Sequence, residues 1–176
     1  MILFLTSNQG KYNEYKTYVP DLKMKNVDLE ELQGLDPLKI LMHKVSEAEK
    51  LGLNEDFFIE DNSLDIVGMK GFPGPLVKYL YLSISPLGMY KFAKALGKTT
   101  AINRIYVAAK IGGKLHIIHT SQKGKLVAPR GNLDVGWGKI FQPVGSKKTY
   151  GQMTFEKKIP YSPRHKAILK LAKLVK

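Results

Sequence analysis

Phe57-Phe58-Ile59-Glu60-Asp61-Asn62-Ser63-Leu64 sets two neighbouring carboxylates at the close of an apolar run of aromatic and β-branched residues. Such a run reads as a buried strand. Charges at its end cannot enter the core without a partner, so Glu60 and Asp61 are expected to face a cleft. Two acids there suit Mg²⁺ or proton transfer. The competing reading is an acidic turn that merely ends the strand. Gly71-Phe72-Pro73-Gly74-Pro75 follows as a shaped loop over the same place. Leu29-Glu30-Glu31-Leu32-Gln33-Gly34 adds carboxylates in the loop after the second strand. A glutamate from that loop and Asp61 could meet across neighbouring strand ends, and oxygen ligands so placed suit Mg²⁺ with a substrate phosphate. A solvated acidic loop is the plainer alternative. Lys44, on the following helix, is either a surface lysine or a phosphate contact.

Thr6-Ser7-Asn8-Gln9-Gly10-Lys11 stands where a strand turns into a helix. Small polar residues there leave backbone amides free for phosphate, and Lys11 adds positive charge, although the glycine spacing of a Walker loop is absent. Read by itself, the segment is equally an ordinary helix cap. Ala128-Pro129-Arg130-Gly131 and Asp134-Val135-Gly136-Trp137-Gly138 form a glycine-rich loop around the single tryptophan. That tryptophan is suited either to stacking on a flat ring or to a core position beside turns. Ser162-Pro163-Arg164-His165-Lys166 puts cations in the first turn of a helix, against its dipole, which hints at an anionic or base-edge ligand. None of the four histidines shows metal-ligand spacing, and no serine–histidine–acid arrangement is apparent.

The elements that must position these residues begin with a strand at Ile2 to Leu5 and a helix after Asn8 that turns Tyr12, Tyr15 and Val19 to one side. A second strand from Leu22 ends near Val27. Asp36-Pro37 starts a helix whose Leu38, Leu41, Met42, Val45 and Ala48 share a face, and Gly52 closes it. With the Phe57 strand the order is β-α-β-α-β, which favours parallel pairs covered by helices. A short strand over Leu64 to Val67, helices over 75–83 and 87–96 broken at Ser85-Pro86, and a hairpin of Ile105 to Ile111 with Leu115 to Thr120 come next. A continuation from Gly124 to Val127 and a final helix capped by Ser162 complete the chain. The expected class is α/β, a long mixed sheet with flanking helices and two lobes around a central cleft, all within one domain spanning 1–176.

A chain of 176 residues can bury a core without covalent staples, and its 44% hydrophobic and 24% charged residues are ordinary for a globular protein. No apolar run approaches the ~20 residues of a membrane span. The first residues read as a core strand rather than a signal peptide. The absence of cysteine excludes disulfide and thiolate chemistry and fits a cytoplasmic protein. A net charge of +13 favours polyanionic partners, nucleotide phosphates or nucleic acid, or else reflects a generally basic proteome or a lysine-rich thermophile, since lysines are spread along the chain. No arginine-rich run or aromatic-interleaved basic repeat marks a dedicated nucleic-acid binder.

Taken in order, these segments resemble the inosine triphosphate pyrophosphatase family, hydrolases of aberrant purine nucleoside triphosphates. Thr6-Ser7-Asn8-xx-Lys11 is similar to that family's T-x-N-x-x-K, Glu60-Asp61-Asn62-Ser63-Leu64 to its E-D-[ST]-x-L, and Gly71 to Pro75 to its G-x-P-G-P. Ala128 to Gly131, Phe141-Gln142-Pro143, Thr149-Tyr150 and Met153 fit the later signature in order and spacing. The resemblance implies a mixed sheet with a cleft between two lobes, a homodimer, and Mg²⁺-dependent conversion of a nucleoside triphosphate to monophosphate and pyrophosphate. By position, Thr6, Asn8, Lys11 and Lys44 would hold the triphosphate, and Glu31 and Asp61 the metal. Asp61 would also activate water, with Lys11 as its catalytic companion, and Trp137, Lys158, Ser162 and Arg164 would line the nucleoside pocket.

Three positions depart from the pattern. Val135 stands where an aromatic is usual, Gly138 where an aspartate is usual, and Pro163 where a histidine is usual. All three belong to the presumed base pocket, so retained triphosphate hydrolysis with altered or relaxed base choice is expected. The alternative is a non-catalytic nucleotide- or nucleic-acid-binding protein on the same scaffold.

Overall fold

All four residues of the first strand, β1 (Ile2–Leu5), are buried, because the sheet it joins is covered on both faces. Side chains alternate along a strand. Ile2 and Phe4 accordingly enter one core cluster, and Leu3 and Leu5 another. The computed structural model describes residues 1–134 and 136–175. The remaining elements are α1 (Gln9–Lys16), β2 (Leu22–Lys25), α2 (Pro37–Glu49), β3 (Asp56–Ile66), β4 (Pro73–Gly74), α3 (Val77–Ala95), β5 (Thr100–Ile111), β6 (Lys114–Leu126), β7 (Phe141–Pro143), α4 (Phe155–Lys158) and α5 (Pro163–Leu174). The sheet has seven strands in the order β2-β1-β3-β5-β6-β7, with β4 paired to β3 off that path. β1 is parallel to both β2 and β3, whereas β3 with β4 and β6 with β7 run antiparallel. This is the α/β class with a mixed sheet that the element order implies.

The chain forms two compact units. The first comprises Met1–Asp61, Ile105–Thr120 and Arg164–Lys176. One face of its sheet buries Phe4 and Phe58 against Tyr15 of α1 and Ala167, Ile168 and Leu171 of α5. The opposite face buries Leu5, Phe57 and Ile59 against Leu41, Val45 and Ala48 of α2. Asp36 caps α2 by accepting from the amides of Leu38 and Lys39, with Pro37 in the first turn, as the sequence leads one to expect. The second unit comprises Asn62–Arg104 and Ser121–Pro163. Its core gathers Leu64, Ile66, Met89, Leu126, Ile140, Phe141 and Tyr150. Its long helix α3 breaks at the expected place, where Ser85 adopts φ 61° and ψ 163° ahead of Pro86.

Two expectations need correcting. Glu60 and Asp61 do not end a strand, and Leu64 to Val67 do not form a separate one, because β3 runs unbroken through eleven residues. The chain can stay extended there because its polar side chains find partners. The amide of Asn62 donates to Asn103 Oδ1 at 2.7 Å and to the Arg104 carbonyl at 3.0 Å, and Arg104 pairs with Asp65. The hairpin is also longer than expected, extending over β5 and β6. Gly112 and Gly113, at φ 55° and 76°, give its two-residue turn the left-handed pair that a type I′ connection requires.

Candidate active site

Because β3 continues, its alternation places Glu60 and Asp61 on opposite faces of the sheet. Glu60 shares the face of Phe58, towards α1 and α5, and Asp61 shares that of Ile59, towards α2. The two acids therefore serve different clusters.

The Glu60 side chain is fully buried. Arg164 Nε donates to its two oxygens at 2.9 and 3.2 Å, and Lys11 Nζ lies 3.3 Å from Oε1 while donating to the Glu60 carbonyl at 3.0 Å. Burial pushes the Glu60 pKa up, but Arg164 and then Lys11 outweigh it and hold the group below the usual glutamate value. Arg164 Nη1 also donates to Glu14 at 2.7 Å. The cation at the start of α5, which conflicts with the helix dipole, is thus answered by two carboxylates of the protein itself. Tyr15, fully buried beside this group, is held well above the usual phenol value by burial first and by Glu60 second.

On the other face, Lys44 Nζ donates to Asp61 Oδ1 at 2.8 Å and to Glu31 Oε1 at 2.7 Å. α2 presents Lys44 here because its first turn is pinned by Asp36 and its apolar residues face the sheet. Burial pushes the lysine pKa down, yet Asp61 and then Glu31 more than compensate and raise it. Glu31 is half exposed, at 52%, whereas Asp61 is 24% exposed. Asp61 Oδ2 is buried with no hydrogen-bond partner among the described residues. An orphaned carboxylate oxygen beside a second carboxylate is a donor set that could accept a hard cation, with Glu31 and Asp61 the residues that would hold it.

Glu31 and Asp61 thus approach each other as expected, but through Lys44, which the sequence left as a surface lysine or a phosphate contact, while Lys11 stands with Glu60. In the turn ahead of α1, the Asn8 amide donates to Thr6 Oγ1 at 3.1 Å, and Asn8 Oδ1 caps the helix by accepting from the Lys11 amide at 3.0 Å. The ordinary capping role is therefore present, and a helix N-terminus beside a lysine also attracts phosphate.

The second unit holds Trp137, Lys158 and Ser162. Trp137 is half-buried, with ring centroids 5.7 Å from Phe141 and 6.4 Å from Tyr150. Lys158 pairs with Asp134 and lies over the Tyr150 ring at 5.0 Å. Ser162 is buried just ahead of α5. Val135, the first of the three departures, lies outside the described residues. Sequence reasoning missed Glu14, Asp65, Arg104 and Asp134, none of which carries a local signal, since each acquires meaning only from a distant partner. It also discounted the histidines. His43 and Glu47, one turn apart on α2, bring donor atoms within 4.8 Å of one another and of Glu30, which corrects the expectation that no histidine has ligand spacing. Glu47 is paired with Lys50 there.

The Ham1 family model matches residues 2–174. An inosine triphosphate pyrophosphatase of Schizosaccharomyces pombe is 34% identical over 175 residues, which cover 97% of this chain and 92% of that protein. A dITP/XTP pyrophosphatase of Korarchaeum cryptofilum is 34% identical over 164 residues, covering 89% and 86%. Among solved structures, a HAM1 protein from Coxiella burnetii matches with a TM-score of 0.82 at 18% identity, covering 99% of this chain and 97% of its own. The Staphylococcus aureus Ham1 protein matches with a TM-score of 0.77 at 23% identity and the same coverage. These two structures share the fold.

Proposed function

The chain belongs to the Ham1 family, and from that premise we propose that it hydrolyses non-standard purine nucleoside triphosphates, of the ITP, XTP and dITP type, to the monophosphate and pyrophosphate. The observation that carries this reading is the group of Glu31, Lys44 and Asp61, with its one buried and unpartnered carboxylate oxygen. Asn8, Lys11 and Lys44, with Thr6 bracing the turn, bind the triphosphate. Asp61 orients a water and takes its proton as the oxygen attacks the α-phosphorus and the bond to the bridging oxygen of the leaving pyrophosphate breaks. Glu31 and Asp61 would hold Mg²⁺, which when bound would neutralise charge on the phosphate oxygens. Trp137, Lys158, Ser162 and Arg164 serve the nucleoside.

Base choice follows from the loop around Trp137 and the start of α5, whose changes at Gly138 and Pro163 respectively support an altered or relaxed preference. The whole chain works as one functional domain, in the cytoplasm, which the lack of cysteine supports. Among the described residues no helix is long and apolar enough to cross a membrane. The homodimer implied by the resemblance belongs to the same reading, and the exposed Tyr79 and Leu82 of α3 support it. Sedimentation of the purified protein as a monomer at every concentration tested would remove it.

The decisive experiment incubates the protein with ITP, XTP, dITP, GTP and ATP plus Mg²⁺ and identifies the products. Orthophosphate instead of pyrophosphate, or no turnover with any of them, refutes the proposal. The net charge of +13 favours one other reading, a non-catalytic binder of polyanions. Steeply salt-dependent binding to RNA or DNA without pyrophosphate release would support that alternative.

A further inference from the structure

Side chains four residues apart on a helix lie one above the other, so His43 and Glu47 stand together on one flank of α2. Both are half-buried, beside the face that sends Lys44 and Ala48 inward. The loop ahead of the helix brings Glu30 to the same place, because its neighbour Glu31 is fastened to Lys44. One donor atom from each of Glu30, His43 and Glu47 lies within 4.8 Å of the other two.

Two further observations point to a cation there. Nε2 of His43 is buried with no hydrogen-bond partner among the described residues, and a buried ring nitrogen left unpaired is costly. The carboxylates also draw an ammonium. Lys50 donates to Glu47, and its pKa is raised by that bond first and, further down, by Glu30. The Lys50 side chain is 67% exposed, so this pair is worth little and yields to an ion of higher charge.

We propose that Glu30, His43 and Glu47 form a second cation site, distinct from Glu31 and Asp61, for a borderline divalent ion such as Zn²⁺. An imidazole with two carboxylates suits Zn²⁺, Co²⁺ or Ni²⁺ and disfavours Mg²⁺, which prefers oxygen ligands and keeps its waters. The two carboxylates balance the ion's charge, and water completes its shell. Ligands about 2.0–2.2 Å from a tetrahedral ion stand roughly 3.4 Å apart, so the three atoms must close by at most about 1.4 Å. An exposed glutamate on a loop can supply that movement. The ion clasps this loop to α2. It thereby holds Glu31, the residue next to one ligand, where Lys44 and Asp61 meet. The site is independent of the pyrophosphatase reading, since none of its three ligands takes part in the proposed chemistry.

The test titrates the full-length protein with Zn²⁺ by calorimetry, without nucleotide and in excess Mg²⁺. The wild type should bind one ion per chain. His43→Gln and Glu47→Gln should each weaken that binding by about tenfold or more. Asp61→Asn and His119→Gln should leave it unchanged. Hydrogen exchange supplies a second readout: Zn²⁺ should slow the amides of residues 28–32 in the wild type and not in His43→Gln. No Zn²⁺ binding by the wild type, equal binding by folded His43→Gln and Glu47→Gln, or loss of binding in folded Asp61→Asn overturns the proposal. Binding through His43 that leaves exchange in the loop unchanged refutes the clasp.

Discussion

Glu60→Gln tests whether a single buried carboxylate organises the first unit's charges. The substitution keeps the shape and one acceptor oxygen, removes the charge, and turns the other oxygen into an NH2 donor beside Arg164 and Lys11. The Glu60 side chain has no solvent exposure and faces Arg164 at 2.9 Å and Lys11 at 3.3 Å. Breaking a buried pair by removing one partner costs about 3–5 kcal/mol. Arg164 keeps Glu14 at 2.7 Å, and Lys11 keeps the carbonyl of residue 60, so the expected loss sits at or below the lower edge, about 2–3 kcal/mol. For a chain of this length that lowers Tm by about 4–12 °C. The pH dependence gives an independent check. The folded-state pKa of Glu60 is depressed, so its contribution is fully present above the unfolded value of about 4.3 and disappears as pH falls through the folded one. Urea unfolding of both proteins, repeated from neutral pH into acid, should show a gap that is constant near neutrality and closes in acid. A gap under about 0.5 kcal/mol at neutral pH, or one that persists unchanged in acid, refutes the reasoning.

Asp61→Asn should reduce pyrophosphate release at least about a thousandfold while leaving the fold intact by circular dichroism, and an active variant removes Asp61 from the chemistry. Chelation with EDTA should stop turnover and added Mg²⁺ restore it, with Glu31→Gln needing more Mg²⁺ for half-maximal rate; indifference to EDTA would exclude the proposed cation. Phe58→Ala, which empties a fully buried ring stacked at 4.3 Å on Phe4, should cost about 3–5 kcal/mol in urea, and a loss below about 1 kcal/mol would mean that this core is not the one described.

Local chemistry announced many elements before the structure did. Asp36-Pro37, Ser85-Pro86 and Gly112-Gly113 each act through the backbone of their own neighbourhood, so a reader of the chain can place a helix start, a helix break and a hairpin. The course of β3 was not legible in the same way. Glu60 and Asn62 look like the end of a strand, and Asp65 like part of a separate one, until their partners are known, and those partners lie 104, 41 and 39 residues further on. The meeting of Glu31, Lys44 and Asp61 was readable only in part. Loop and strand order suggested that the acids would approach each other, but that one ammonium joins them depends on the rotation of α2. Asp134 carries no local signal for a related reason, since its partner Lys158 lies 24 residues further on.

The bond from Arg164 to Glu60 has a consequence for how the protein is made. During synthesis, Glu60 emerges long before the guanidinium that neutralises it, so the nascent first unit carries a charge it cannot bury favourably. Its strands β1 and β3 can pair early, yet the face beneath α5 closes only when α5 itself arrives. A chain stopped ahead of Arg164 loses both the apolar cover of Ala167, Ile168 and Leu171 and the counter-charge. Such products should be cut rapidly by a protease that leaves the full-length protein whole. Closure of this face therefore waits on the synthesis of α5.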